Sequence, residues 1–126
     1  AVLDGRPGSH PPQASDPAIH DASIAGVLGI YTMGAVAVDD PRVSPLLLSD
    51  AALSAFPPTL LQASSAEVLY ADASQLHARL QQLGVRSVLS AWPDMPHVWQ
   101  AFVSLLPEAR QALLELARFC ADDTPV

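Results

Sequence analysis

Between Pro57 and Trp92 the sequence passes through an apolar run, a helical pattern and a second apolar run, and this succession limits the fold more than any other feature. Pro57-Pro58 precedes Thr59-Leu60-Leu61-Gln62-Ala63, a run whose length suits a buried strand. From Asp72 to Leu83 the spacing of Leu76, Leu80 and Leu83, with Leu69 just ahead, predicts a helix that Gly84 stops. Arg86 to Trp92 predicts a second strand through Ser87, Val88, Leu89, Ser90 and Ala91. Strand, helix and strand of these lengths make a βαβ unit, which in a common sheet implies parallel strands and a right-handed crossover. The expected fold class is therefore α/β. A last helix is predicted over Pro107 to Cys120, with Leu113, Leu114, Leu116, Ala117 and Phe119 on its apolar side and the single Cys120 as a small buried hydrophobe.

Parallel strands are normally buried on both faces, and their open edges need covering. The chain has 126 residues, enough for one domain at most, and 50% hydrophobic content argues for a packed core. Its predicted helices supply too little cover for such a sheet, so a preceding chain segment or a partner subunit is expected to complete it. Residues 1–17, broken by Gly5, Pro7, Gly8, Pro11 and Pro12, read as a loop or linker. Asp16-Pro17 is suited to start a helix whose apolar stripe would be Ile19, Ile24, Val27, Leu28 and Tyr31, although Gly26, Gly29 and Gly34 weaken it. Past Asp39-Asp40-Pro41 the chain is irregular until a short predicted helix from Asp50 to Ala55.

Chemistry is most readily placed in Trp92-Pro93-Asp94-Met95-Pro96-His97-Val98-Trp99-Gln100, where a histidine follows a proline-rich turn after the second strand. A histidine held at a strand end suits proton transfer, and it equally suits a structural role capping the next helix or packed under Trp92 and Trp99. The segment Ser64 to Asp72 follows the first strand at its carboxyl end, where open α/β sheets gather ligand and catalytic groups. Both loops thus fall on one rim. A carboxylate there could accept the Nδ1–H of His97 and stabilise its imidazolium; Glu67 also has the ordinary role of an acid near a helix N-terminus.

Pro57 to Gln62, Glu67-Val68-Leu69 with Asp72, Trp92 to Gln100 and the closing Leu113 to Phe119 stretch occur in the order and spacing of the C-terminal part of bacterial hormone-sensitive-lipase-type esterases, which the chain resembles from about Asp39 onward. Ser15-Asp16-Pro17-Ala18 and Asp40 to Pro45 also resemble the segment leading to that family's last strands. The resemblance implies a partial α/β-hydrolase fold over residues 18–126: the C-terminal βαβ unit of a parallel sheet plus a final helix. It implies a carboxylic ester hydrolase with His97 as general base and Glu67 as its orienting acid, where many relatives have Asp. Asp72 is the second choice for that acid. Val98 and Trp99 would line the substrate pocket, with core packing the other role that fits Trp99.

Such esterases take their nucleophile from a Gly-x-Ser-x-Gly elbow and their oxyanion hole from a His-Gly-Gly-Gly-type loop, and neither pattern occurs in this chain. Ser64 and Ser65 lack the flanking glycines. The implied partner is an N-terminal part of the same hydrolase fold carrying the serine and the oxyanion loop, the implied substrate a small acyl ester. By itself the chain is expected to be nearly inactive. The contrasting expectation is a catalytically inactive fragment, or an assembly module forming a homodimer through the second strand and last helix.

Six Lys and Arg against thirteen Asp and Glu, a formal charge of -7, leave no basic surface for nucleic acid. No apolar run is long enough to span a bilayer and the N-terminus has no signal-peptide pattern, so a cytoplasmic location is expected. His10, His20 and His77 are scattered without metal-site spacing, and no phosphate-binding Gly-rich loop occurs; neither metal nor cofactor is expected.

Overall fold

The computed structural model describes residues 21–37 and 40–122. Their elements are α1 (Asp21–Thr32), α2 (Asp50–Leu53), β1 (Thr59–Ser64), α3 (Tyr70–Gln82), β2 (Ser87–Trp92) and α4 (Pro107–Ala121), with 3₁₀ turns at Pro45–Leu47 and Trp99–Phe102. The linker assigned to residues 1–17 and the Asp16-Pro17 helix start lie outside the described residues.

β1 and β2 pair in parallel, Thr59 opposite Ser87 through Ser64 opposite Trp92, in a two-stranded sheet. With α3 between them in sequence, they form the βαβ unit that the sequence predicts. The Thr59 amide takes the Arg86 carbonyl at 2.9 Å at one end, and the Ser65 amide takes the Trp92 carbonyl at 2.9 Å at the other. α3 crosses between the strands and buries Leu80 completely. It stops where Gly84 turns left-handed at φ 78°: the Gly84 amide returns to Gln81 O at 3.0 Å and the Val85 amide to Leu80 O at 2.9 Å, the paired closure that a glycine after a helix allows.

Leu53, Ala63, Val68 and Leu80 are buried, and Trp99 packs with Ala109 and Ala112 of α4 while Trp92, Met95 and Leu106 close around them. The segment ahead of α2 is tied down by Arg79 of α3, whose guanidinium donates to Leu46 O at 2.6 Å, Leu48 O at 3.1 Å and Asp50 Oδ1 at 2.6 Å.

Three expectations for the helices are corrected. In α4 the inward face carries Ala109 and Ala112, while Leu113, Leu114 and Leu116 are exposed, because close approach to Trp99 admits only small side chains. Cys120 is likewise exposed in the last turn of that helix rather than buried. In α1, Val27 and Tyr31 of the expected apolar stripe are exposed, and Ile30 beside them as well. No helix among the described residues is long and apolar enough to cross a membrane.

Candidate active site

Both strands end on the same rim, and the turn after β1 is shaped by Ser64-Ser65-Ala66-Glu67. The Glu67 side chain folds back so that its Oε1 accepts the Ser64 amide at 3.0 Å, while the Glu67 amide donates to Ser64 O at 3.2 Å. A serine three residues before a glutamate has the spacing of a helix capping box, and here its carboxylate half is formed. Glu67 is only 4% exposed, so its two oxygens depend on protein donors.

β2 ends at Trp92, after which Pro93-Asp94-Met95-Pro96 leads to His97. Pro93 and Pro96 bring no amide hydrogen, so the loop cannot continue the strand ladder. Asp94 adopts a left-handed conformation at φ 55°, and so does Val98, at φ 58° and ψ 33°. Left-handed backbone is uncommon for a β-branched residue and costs on the order of 1–3 kcal/mol, held only where neighbours fix it. After Val98 the chain enters the 3₁₀ turn that buries Trp99.

These two loops bring His97 and Glu67 together: His97 Nδ1 lies 2.7 Å from Glu67 Oε2. A carboxylate only accepts, so this contact places the hydrogen on Nδ1 and leaves Nε2 as the basic nitrogen. His97 remains partly open to solvent, while the Glu67 side chain is enclosed. An imidazole oriented by a buried carboxylate can accept a proton at its outer nitrogen, with the new charge stabilised from behind.

Asp72, the second choice for the acid, sits mostly buried in the first turn of α3, and the carboxylate that meets His97 Nδ1 is that of Glu67. Val98 is 54% exposed beside His97. Trp99 is 1% exposed, its ring centroid 6.0 Å from that of Trp92, and its Nε1 has no hydrogen-bond partner among the described residues. It packs with Ala109 and Ala112 of α4, with Met95 of the His97 loop against this cluster.

Sequence reasoning passed over the polar ties behind this site. Gln62, in the middle of β1, donates through Nε2 to Ala112 O at 2.8 Å and to Glu115 Oε2 at 2.9 Å, and its Oε1 accepts from Gln100 Nε2 at 3.2 Å. Ser90 donates to the same Glu115 oxygen at 2.7 Å and accepts the Trp92 indole N–H at 2.9 Å. The available signal was a glutamine inside an otherwise apolar strand, since a polar group there requires partners.

Comparison with known proteins agrees with this architecture. A family model described as alpha/beta hydrolase fold matches residues 3–101. The chain is 38% identical over 80 residues to an esterase from Acinetobacter venetianus, covering 64% of this chain and 25% of that protein. It is 31% identical over 105 residues to the hormone-sensitive lipase of Mus musculus, covering 83% of this chain and 13% of that protein. A solved esterase from the bacterial hormone-sensitive lipase family superposes with a TM-score of 0.79 at 34% identity, covering 93% of this chain and 38% of that one. The chain thus spans a quarter or less of these curated relatives and well under half of the solved structure. With a family match across most of its length, the chain belongs to the α/β-hydrolase fold family and, within it, to the hormone-sensitive-lipase type.

Proposed function

We propose that the complete protein to which these residues belong is a carboxylic ester hydrolase, with His97 as general base and Glu67 as the acid that orients it. The observation that carries this reading is the 2.7 Å contact between His97 Nδ1 and the enclosed Glu67 carboxylate at the carboxyl ends of parallel strands. The attacking serine and the oxyanion donors would come from parts of the hydrolase fold outside this chain, which contains neither sequence pattern.

In the acylation step the serine oxygen adds to the acyl carbon as its proton passes to His97 Nε2. The imidazolium then returns that proton to the departing alkoxide, leaving the acyl-enzyme. Water repeats the sequence in deacylation: His97 takes its proton, and the acid leaves as the serine is restored. Glu67 stays ionised throughout and stabilises the charge on the ring. Small acyl esters are the proposed substrates, with Val98 at the pocket wall and Trp99 supporting it from below.

The test is hydrolysis of p-nitrophenyl acetate or butyrate by the complete polypeptide, with His97→Ala expected to lower the rate by several orders of magnitude. Hydrolysis unchanged in that variant removes the assignment.

A second reading makes this region an assembly surface, with β2 and α4 meeting a second copy. Exposed Val88, Leu113, Leu114 and Leu116 favour it, since pairing would bury them. Light scattering on the purified chain distinguishes the readings, because a folded monomer counts against this one.

A further inference from the structure

We infer that Ser64 is a positioning residue for the His97–Glu67 pair, its hydroxyl joining the loop that carries the acid to the loop that carries the base. The inference rests on the proposed roles of those two residues and adds a third residue to them.

Ser64 is the last residue of β1 and is fully buried. Its Oγ accepts the Met95 amide at 3.1 Å and the Ala66 amide at 3.3 Å, while its own amide donates to Glu67 Oε1 at 3.0 Å. One residue therefore holds the Glu67 oxygen that faces away from the histidine, the turn leading to Glu67, and the chain leading to His97.

The Met95 contact matters because of what surrounds it. Sheet pairing ends where Ser64 stands opposite Trp92, and the Ser65 amide bond to Trp92 O is the last tie of that kind. Among Pro93, Asp94, Met95 and Pro96 only the middle two have an amide hydrogen. The Met95 amide, two residues from His97, is the one that reaches across to the β1 side, and a side-chain oxygen receives it. Removing that oxygen, which belongs to a fully buried side chain, leaves the part-buried Met95 and Ala66 amides without their acceptor. The loop can then shift relative to Glu67, and a displacement of about 1 Å at a reacting group can cost on the order of a hundredfold in rate.

Ser64 is not placed to be the nucleophile. Its hydroxyl oxygen is enclosed and already receives two backbone amides, whereas a nucleophile must be exposed at the top of a strand-to-helix turn.

The experiment compares Ser64→Ala and Ser64→Cys with the parent in the complete esterase, using p-nitrophenyl butyrate. The cysteine keeps the approximate shape but accepts hydrogen bonds weakly. Expected is a fall in kcat of about 10- to 100-fold for the alanine variant, with KM changed less than about twofold and the cysteine variant between the two. In parallel, proton NMR follows the downfield resonance of the His97 Nδ1–H in contact with Glu67, which should broaden or move upfield in Ser64→Ala. A lower melting temperature with kcat and that resonance unchanged would show a purely structural serine and overturn the inference. The resonance is read without turnover, so its dependence on Ser64 tests the joint even if His97→Ala leaves hydrolysis intact and removes the catalytic reading.

Discussion

Glu67 Oε2 stands 2.7 Å from His97 Nδ1 across thirty residues of chain, while Glu67 Oε1 takes the Ser64 amide at 3.0 Å. Both carboxylate oxygens are therefore committed, and the side chain has one orientation that satisfies both. Replacing it by Gln keeps the shape but puts an amide nitrogen on one of those two positions. Whichever way the amide turns, either the Ser64 N–H or the histidine Nδ1–H faces a donor, and the imidazole is pressed toward the wrong tautomer. If Glu67 is the orienting acid as proposed, Glu67→Gln in the complete polypeptide should lower kcat by about 10³- to 10⁴-fold, as loss of that acid does in other triads. Steady-state hydrolysis of p-nitrophenyl butyrate measures it; a loss under about tenfold would move the acid role to Asp72, whose Asn variant would then be compared.

Trp99 offers a prediction in which two substitutions separate packing from polarity. The ring is enclosed against Ala109 and Ala112, so Trp99→Ala should cost about 3–5 kcal/mol of stability through lost burial and the cavity left behind. Its Nε1 has no partner among the described residues, so Trp99→Phe forfeits no hydrogen bond there and should cost much less. Urea unfolding of the three proteins gives the comparison. Equal costs for Phe and Ala would show that a six-membered ring does not recover the packing of the indole.

The order of these elements was legible because strand and helix have different apolar periods and because Gly84 and Pro107 mark ends that backbone geometry enforces. The nearness of Glu67 and His97 followed from parallel pairing, which puts both strand ends on one rim. What was not legible depends on distances between elements. By pattern Leu113, Leu114 and Leu116 form the inner face of α4, yet the helix lies so close to Trp99 that Ala109 and Ala112 take that place. Ser64 could be judged for nucleophilic chemistry from its flanking residues, but its reach to Met95 depends on how the His97 loop folds back. The Gln62–Glu115 contact joins residues 53 positions apart through a helix whose rotation the hydrophobic pattern had misassigned.

That contact leads to a third prediction. Glu115 Oε2 receives both Gln62 Nε2 and the Ser90 hydroxyl, and Ser90 in turn receives the Trp92 indole N–H. Glu115→Ala removes the shared acceptor, leaving the Ser90 hydroxyl without it and Gln62 Nε2 with Ala112 O alone, at a cost of about 1–3 kcal/mol. Glu115→Gln can keep an oxygen in the same place and should cost less. Chemical denaturation orders the variants, and a Gln variant as unstable as the Ala variant would show that charge, rather than the acceptor, holds the network.

Arg79 gives a fourth. Its bonds to Leu46 O and Leu48 O reach part-buried carbonyls in and just after the 3₁₀ turn ahead of α2, whereas its partner Asp50 is 70% exposed. Arg79→Met should therefore destabilise by about 1–3 kcal/mol, and Asp50→Ala by less than about 1 kcal/mol, since an exposed ion pair adds little. Thermal unfolding monitored by circular dichroism separates them, and equal effects would assign the stabilisation to the ion pair.

The last prediction concerns Asp40, whose carboxylate is gripped by its neighbour Arg42. The guanidinium donates through Nε to Oδ1 at 2.9 Å and through Nη2 to Oδ2 at 2.8 Å, and the Arg42 amide adds a bond to Oδ1 at 2.8 Å. The side-chain bond to Arg42, then the backbone bond, lower the Asp40 pKa from 3.8 to about 2. Because the folded value is depressed, the native state binds fewer protons than the unfolded chain in the interval between the two values. The contribution of this pair is thus fully present above about pH 4 and is lost as pH falls through about 2. Arg42→Ala should raise the Asp40 midpoint only part of the way back, because the backbone bond remains, and added salt should weaken the remaining Arg42 effect in the parent. Carboxyl carbon NMR between about pH 1.5 and 5 follows the titration directly across the interval set by these two pKa values. A midpoint that stays near 2 without the guanidinium would assign the shift to the backbone amide alone.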